Sequence, residues 1–318
     1  MRRDRRSGVW RALRFVLLSA AGAAGLVWIA RGIEWSDLWT PARRLGAAGL
    51  AVGFAAYLLF VALKALRFAA FLKLPFSRAL YGVVCAQTFW SNILPMRLGD
   101  LSYIPLLKDR MGEPVDRGAA SFLLAGLADA WMRLALSASL GAYFLARVES
   151  PALRIFTWFS VAGCAAAAAA VPLARLNWRV DRLPFLGKQL AQLQKELQRQ
   201  TPAPLLAKGA LYSALCLAAR FGFQLYLLWA MFPDLSAAQG LFAMTFTGLA
   251  NLLPIQGFAG IGAAELPWAW ALSLVGSDGN TAVSSALTLH ATALLYAAGA
   301  GVLSLWTGRA ATLKDGAA

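Results

Sequence analysis

Six apolar stretches at 13–30, 45–63, 119–146, 151–174, 205–232 and 281–306 constrain this chain more than any other feature. Each is about the 20 residues that a helix needs to cross a bilayer. Lipid offers no partner to a backbone amide or carbonyl, so each stretch must satisfy its own hydrogen bonds and is predicted to be a helix. The composition agrees. Of 318 residues, 59% are hydrophobic and 14% charged, against about 45–50% and about 25% in an average soluble domain. The chain therefore reads as an all-α polytopic membrane protein with a single transmembrane domain over 1–318.

The first stretch follows a basic leader but is longer than a signal-peptide core and is followed by more spans, so it reads as a retained anchor. Cys85, Cys164 and Cys216 lie far apart in apolar segments. They make no disulfide or metal framework and read as packing residues. The net charge of +15 does not point to nucleic acid, because it gathers in short connecting stretches.

Those stretches set the topology, since Lys and Arg in short loops mark the cytoplasmic side. Residues 1–14 hold six Arg against Asp4. Residues 64–78 hold Lys64, Arg67, Lys73 and Arg78, and residues 175–208 hold seven basic side chains against Asp181 and Glu196. For all three to lie inside, residues 79–107 must enter from the cytoplasm and return, as a re-entrant hairpin. Residues 237–276, rich in Gly and Pro, read as a second hairpin that enters from outside and leaves the tail, 309–318, in the cytoplasm. The expected architecture is six full spans plus two opposed re-entrant hairpins, or eight or nine helices if the hairpins are counted as spans.

The two broken segments resemble each other. "TFWSNILP" at 88–95 and "TFTGLANLLP" at 245–254 share Thr-Phe and then Asn-x-Leu-Pro. Entering from opposite faces, they form the pattern of an inverted repeat whose discontinuous helices meet at a transporter's substrate site. Asn92, Pro95, Gly99, Asn251, Pro254, Gly260 and Gly262 are the residues of these breaks. A broken helix at membrane depth must line a cavity or be buried in protein.

Ionisable residues at that depth cost about 2.5–3.5 kcal/mol each on insertion scales, which marks them as functional or paired. Arg97 stands beside the first break, where a guanidinium and free amides suit a phosphate. Asp100 follows three positions later. Asp129 and Arg133, four apart, can neutralise each other on one helix face or act at the site. Glu265 needs a partner from elsewhere, Arg97 or Arg220, or else is protonated by desolvation. The lone His290 cannot assemble a metal site and reads as a hydrogen-bonded interior residue. Trp28, Trp35, Trp39, Trp131, Trp229, Trp268 and Trp306 read as interfacial anchors. Within the cytoplasmic linker 176–204, Leu186, Leu190, Leu193 and Leu197 recur at helical spacing. Residues 185–200 are thus predicted to form an amphipathic helix on the anionic cytoplasmic leaflet, with partner binding as its other use.

No Walker loop, H-E-x-x-H or G-x-S-x-G is present. With no soluble stretch of useful length to host ATP or a sugar nucleotide, direct ATP-driven transport and catalysis with a large soluble cosubstrate domain are disfavoured, and no cofactor, metal or catalytic residue is assigned.

"LPMRLGDLSYIPLLK" and "LLPIQGFAGIGAAEL", together with the Asp129 of "AGLADAW", resemble motifs of a flippase-like family. It is named after the transmembrane region of lysylphosphatidylglycerol synthase, and the resemblance spans roughly residues 10–308. It implies movement of a lipid across the bilayer: an aminoacylated phosphatidylglycerol in the best-known case, hopanoid lipids or polyprenyl-linked glycolipids in others. By motif position it implies roles for Pro95, Arg97, Gly99, Asp100, Gly260, Gly262 and Glu265. Members often carry Arg at the position of Tyr103 and a basic residue at that of Ala264. Both differences remove positive charge and count against an aminoacyl-phosphatidylglycerol-type substrate. The chain also lacks an aminoacyl-transferase domain, so it is not expected to be the synthase.

The expectation is a lipid flippase of the bacterial inner membrane with both termini cytoplasmic, acting on a phosphate-bearing lipid through a polar cavity. Arg97 would hold the phosphate, with Asp100 and Glu265 orienting the headgroup or taking a coupling proton. An intramembrane enzyme acting on a lipid headgroup and a non-transporting assembly factor for envelope lipid biosynthesis are the alternatives. Partners are the lipid substrate and anionic leaflet lipids, not nucleic acid; a homo-oligomer or an envelope-biosynthesis partner stays open.

Overall fold

The computed structural model describes residues 35–95, 98–175, 187–250 and 258–312. The predicted span at 13–30, Arg97, Asn251 and Pro254 lie outside the described residues. Regular structure among the described residues is helical throughout. In chain order the helices are α1 (Trp35–Leu72), α2 (Arg78–Ile93), α3 (Leu98–Leu101), α4 (Tyr103–Met111), α5 (Val115–Leu145) and α6 (Pro151–Arg175). There follow α7 (Gly187–Arg199), α8 (Ala203–Met231), α9 (Ala237–Ala250), α10 (Glu265–Leu274) and α11 (Gly279–Thr312).

Helices α1, α5, α6, α8 and α11 are long and apolar enough to cross a membrane, and they contain the other five predicted spans. Helix α1 packs along α8, α2 along α11 and α5 along α6. An aromatic cluster of Tyr57, Phe60, Phe223 and Tyr296 ties α1, α8 and α11 together. Where α2 meets α11, Gly82 faces Thr307 and Gly301 faces Phe89, the small-residue contact by which helices approach closely in lipid.

The broken segments are built from short helices. Helix α2 starts at the N-cap Ser77, whose hydroxyl accepts from the Leu80 amide. Its 16 residues span about 24 Å at 1.5 Å per residue, less than the hydrocarbon core of about 30 Å. Pro95 lies in the turn that follows, and the chain then doubles back, with α3 and α4 both packed against α2. Gly99 permits this return: a Cβ there would stand 1.9 Å from the Trp90 carbonyl oxygen. In the second broken segment α9, of 14 residues, packs beside α10, of 10 residues.

The structure corrects several readings. Positive-inside counting assigns Lys64 and Arg67 to a cytoplasmic connection, yet both lie within α1, and Arg67 is only 3% exposed. Trp39, Trp131, Trp229 and Trp306 are exposed, whereas Trp268, read as an interfacial anchor, is buried and donates Nε1–H to Ser285 Oγ at 3.0 Å. The amphipathic helix, α7, packs against α5 and α6, and Leu197 joins the core. Part of its leucine face is thus covered by protein. Cys85, Cys164 and Cys216 are free thiols.

Helix α11 is capped by Asp278, whose Oδ1 accepts the Thr281 amide at 2.8 Å. That bond holds the carboxyl below its ordinary value. The folded value being the lower one, the stability is present above about pH 4, the unfolded value, and is lost as pH falls through the folded value. Asp278→Ala is expected to cost about 0.5–1 kcal/mol at neutral pH, the low end for an exposed cap. Thermal unfolding in detergent at neutral and acid pH would show the gap between variant and wild type closing on acidification.

Candidate functional site

The two broken segments converge. The last turns of α2 (Thr88, Ser91, Asn92) and of α9 (Thr247, Gly248) line one cavity of about 240 Å³, together with Ala259, Gly260 and Ala264 from the turn before α10. Lys64 of α1, Asp100 of α3, Arg133 of α5, Arg220 of α8 and His290 of α11 supply its titratable walls. Among the described residues, three basic side chains, Lys64, Arg133 and Arg220, thus share the cavity with one carboxylate, Asp100. Tyr57 and Thr247 also line this cavity, and their hydroxyl oxygens are buried with no hydrogen-bond partner among the described residues.

Behind the cavity wall lie three polar clusters. In the first, the buried Gln87 accepts from Lys64 Nζ at 2.6 Å through Oε1. Its Nε2 donates to Ser91 Oγ at 2.9 Å and Asp100 Oδ1 at 3.3 Å. One amide, using both its donor and its acceptor ends, therefore links the cation of α1 to the carboxylate of α3. Lys64 also donates to Thr88 Oγ1 at 3.3 Å.

In the second, Asp129 of α5 pairs with Arg67 of α1, which also donates to Ser213 Oγ of α8 at 3.1 Å. This overturns the expected Asp129–Arg133 pair. The Arg133 Nε–H goes instead to the Asp129 backbone carbonyl at 3.1 Å, which leaves the Arg133 side chain on the cavity wall.

In the third, Glu265 is 4% exposed, and its two oxygens are both engaged: Oε2 accepts the Gly262 amide at 2.8 Å, and Oε1 lies 2.5 Å from His290 Nδ1. Of the expected partners, Arg97 lies outside the described residues, and His290 and a backbone N–H stand in the place of Arg220. The local reason is the returning half of a capping box, a Glu reaching back to a backbone amide three residues earlier. The Gly262 carbonyl accepts from the Leu266 amide at 3.1 Å, beginning the helix, while Glu265, three residues on, reaches back to the Gly262 amide. Gly262 has φ +80°, a conformation that glycine adopts without the steric cost other residues meet. The Gly-x-Gly-x-x-Glu spacing is thus a helix start that fixes a buried carboxylate.

Of the predicted site residues, Asn92, Asp100, Arg133, Arg220 and Gly260 line the cavity. Gly99, Asp129, Gly262 and Glu265 hold its walls from behind. Sequence reasoning missed Tyr57, Lys64, Arg67, Gln87 and Thr88, and missed His290 as Glu265's partner. One signal was present: apolar "FAAFL" follows Arg67 without a break, so the helix had reason to continue past both basic residues. Tyr103 is fully buried, stacked on Phe68 with ring centroids 4.2 Å apart and bonded to Ser121 at 3.2 Å. It takes no part in lining the cavity.

The sequence profile of the lysylphosphatidylglycerol synthase transmembrane region matches residues 13–301, nearly the whole chain and both broken segments. The chain belongs to this family. Neither a curated protein nor a solved structure matches it significantly. As a member of the lysylphosphatidylglycerol synthase transmembrane-region family it is a multi-pass membrane protein with a lipid-handling, transporter-like role. What matches is the family's membrane region; an aminoacyl-transferase domain forms no part of the match.

Proposed function

We propose that this protein is a lipid flippase of the bacterial inner membrane, moving a phosphate-bearing lipid through the cavity between the broken helices. The observation that carries this reading is the cavity itself, at the junction of two interrupted helices. Among the described residues it gathers three basic side chains and one carboxylate, with the hydroxyl-bearing Thr88 and Ser91 on its wall. Cationic donors and hydroxyls are the groups that bind a phosphate ester, and acyl or prenyl tails would stay in the surrounding lipid. Arg97, two residues from Pro95 and three from the wall residue Asp100, is assigned the phosphate on entry.

Segments 79–107 and 237–276 are read as opposed re-entrant hairpins, with both termini cytoplasmic. Anionic lipids of the cytoplasmic leaflet are assigned to the basic linker 176–204. The test is translocation of fluorescent lipid in proteoliposomes, scored by how much label an impermeant quencher reaches. Wild type is expected to accelerate exchange, and a folded Arg97→Ala protein to lose about tenfold or more, the size of one charge-assisted hydrogen bond. Wild-type rates in that variant would remove Arg97 from the mechanism. No acceleration with phospholipid or polyprenyl-phosphate probes would favour the assembly-factor reading.

A further inference from the structure

The Glu265–His290 pair has a geometry that the cavity walls alone do not require. Glu265 is buried and touches the cavity only through His290, whose side chain is 14% exposed. A carboxylate accepts and does not donate, so an ionised Glu265 places a proton on Nδ1 and fixes the orientation of the ring. The other nitrogen, Nε2, makes no hydrogen bond among the described residues. It is left accessible by Gly260: a Cβ there would stand 3.7 Å from Nε2. The cavity therefore meets a ring whose inner nitrogen is anchored and whose outer nitrogen is open.

We infer that His290, oriented by Glu265, is the titratable ligand for the lipid phosphate, so that each headgroup entering the cavity brings a proton onto Nε2. The inference rests on the proposed handling of a phosphate-bearing lipid. Neutral, with Nδ1 protonated, the ring shows the cavity a lone pair, which repels a phosphate oxygen. Protonated, it shows an N–H that donates to one. A bound anion favours the protonated ring, and Glu265 on the far side stabilises the imidazolium that results. The balance is simple. Nε2 takes a proton from solution as the anion arrives and returns it as the anion leaves, and no other bond is made or broken.

The charged and titratable groups facing the ring are Glu265 from α10, Lys64 and Tyr57 from α1, Asp100 from α3, Arg133 from α5 and Arg220 from α8. Helix α2 contributes only uncharged wall residues. Histidine alone among these has an ordinary value, about 6.5, close to neutrality. The guanidinium groups of Arg133 and Arg220 attract the phosphate at every pH, whereas a proton on His290 Nε2 adds an attraction that depends on pH. Linkage fixes the sign: if binding promotes protonation, protonation promotes binding by the same factor. Affinity thus rises as pH falls.

The test is calorimetric titration of short-chain phosphatidylglycerol into the full chain in phosphatidylcholine nanodiscs, at about pH 7.5, in buffers of different ionisation enthalpy. Wild type is expected to take up a fraction of a proton per lipid bound and to bind more tightly towards about pH 6, by up to about tenfold per pH unit. His290→Gln, which keeps a donor for Glu265, is expected to bind with no proton uptake and a flat pH profile. Glu265→Gln reports on the orienting role and should reduce the uptake. Wild-type binding with heats independent of buffer would overturn the inference while leaving the lipid reading intact, as would uptake that persists in His290→Gln. No binding of the lipid at any pH would overturn both.

Discussion

Asp129→Ala is expected to lose about 3–5 kcal/mol of stability, the cost of leaving one member of a buried ion pair without the other. Arg67 is 3% exposed, and Asp129 is its only carboxylate partner among the described residues; Ser213 offers a single neutral hydroxyl at 3.1 Å. Removing the carboxylate strands a buried guanidinium among helices α1, α5 and α8, and the partial exposure of Asp129, 26%, places the loss at the lower end of that range. Asp129→Asn, which keeps an oxygen acceptor but no charge, should lose less. The informative control is the double variant Arg67→Met with Asp129→Leu. A buried pair replaced by apolar groups of similar size is often no less stable, so most of the loss should return. Thermal unfolding in detergent measures all four proteins. An unaltered melting temperature in Asp129→Ala would mean that Arg67 reaches water or another anion.

Gly99→Ala is expected to be at least as damaging, at or beyond the top of the ~1–3 kcal/mol range for overpacking. The new methyl would meet backbone, the Trp90 carbonyl oxygen at 1.9 Å and the Ser91 nitrogen at 2.4 Å, and backbone cannot rotate aside as a side chain can. Helix α3 would have to lift off α2 and take Asp100 with it, parting the carboxylate from Gln87. Gly126 in α5 provides the comparison, since a Cβ there meets nothing within 4 Å. Gly126→Ala should be neutral or stabilise by roughly 0.5–1 kcal/mol, the usual gain in a helix interior. Limited proteolysis of the 94–102 region alongside the melting temperatures would localise the damage. Equal stability of the two variants would refute the close return of α3 onto α2.

How much of this was legible beforehand differs by level. The five described spans follow from apolar length alone, because lipid leaves a helix as the one solution for an isolated segment. The breaks were legible too, since Pro95 and Gly99, and Gly260 and Gly262, fall in short apolar segments beside charged residues. Partner choice was not. Sequence spacing suggests Asp129 with Arg133, four positions apart, yet the chain joins Asp129 to Arg67 across 62 positions. Nothing local in the sequence reports which helices will touch.

Lys64 and Arg67 were misplaced for a related reason. The positive-inside rule counts basic residues without knowing whether a carboxylate or an amide awaits them in the interior. Gln87 and Asp129 supply those partners and let α1 carry two cations into the bundle. Glu265 shows the converse. Its need for a partner was plain from burial in an apolar stretch, but the partner was a histidine 25 positions later rather than an arginine.

The orientation of the two short helices has a consequence for release. Both α2 and α9 end at the cavity, so each turns its carbonyl end towards it, equivalent to about half a negative charge apiece. The amino end of α10, with Ala264 on the wall, contributes about half a positive charge in return, so the backbone offsets a fraction of the excess of Lys64, Arg133 and Arg220 over Asp100. A carrier that held its cargo with the full electrostatic grip of its side chains would be a trap. With its backbone pulling the other way, the same binding site can load and unload.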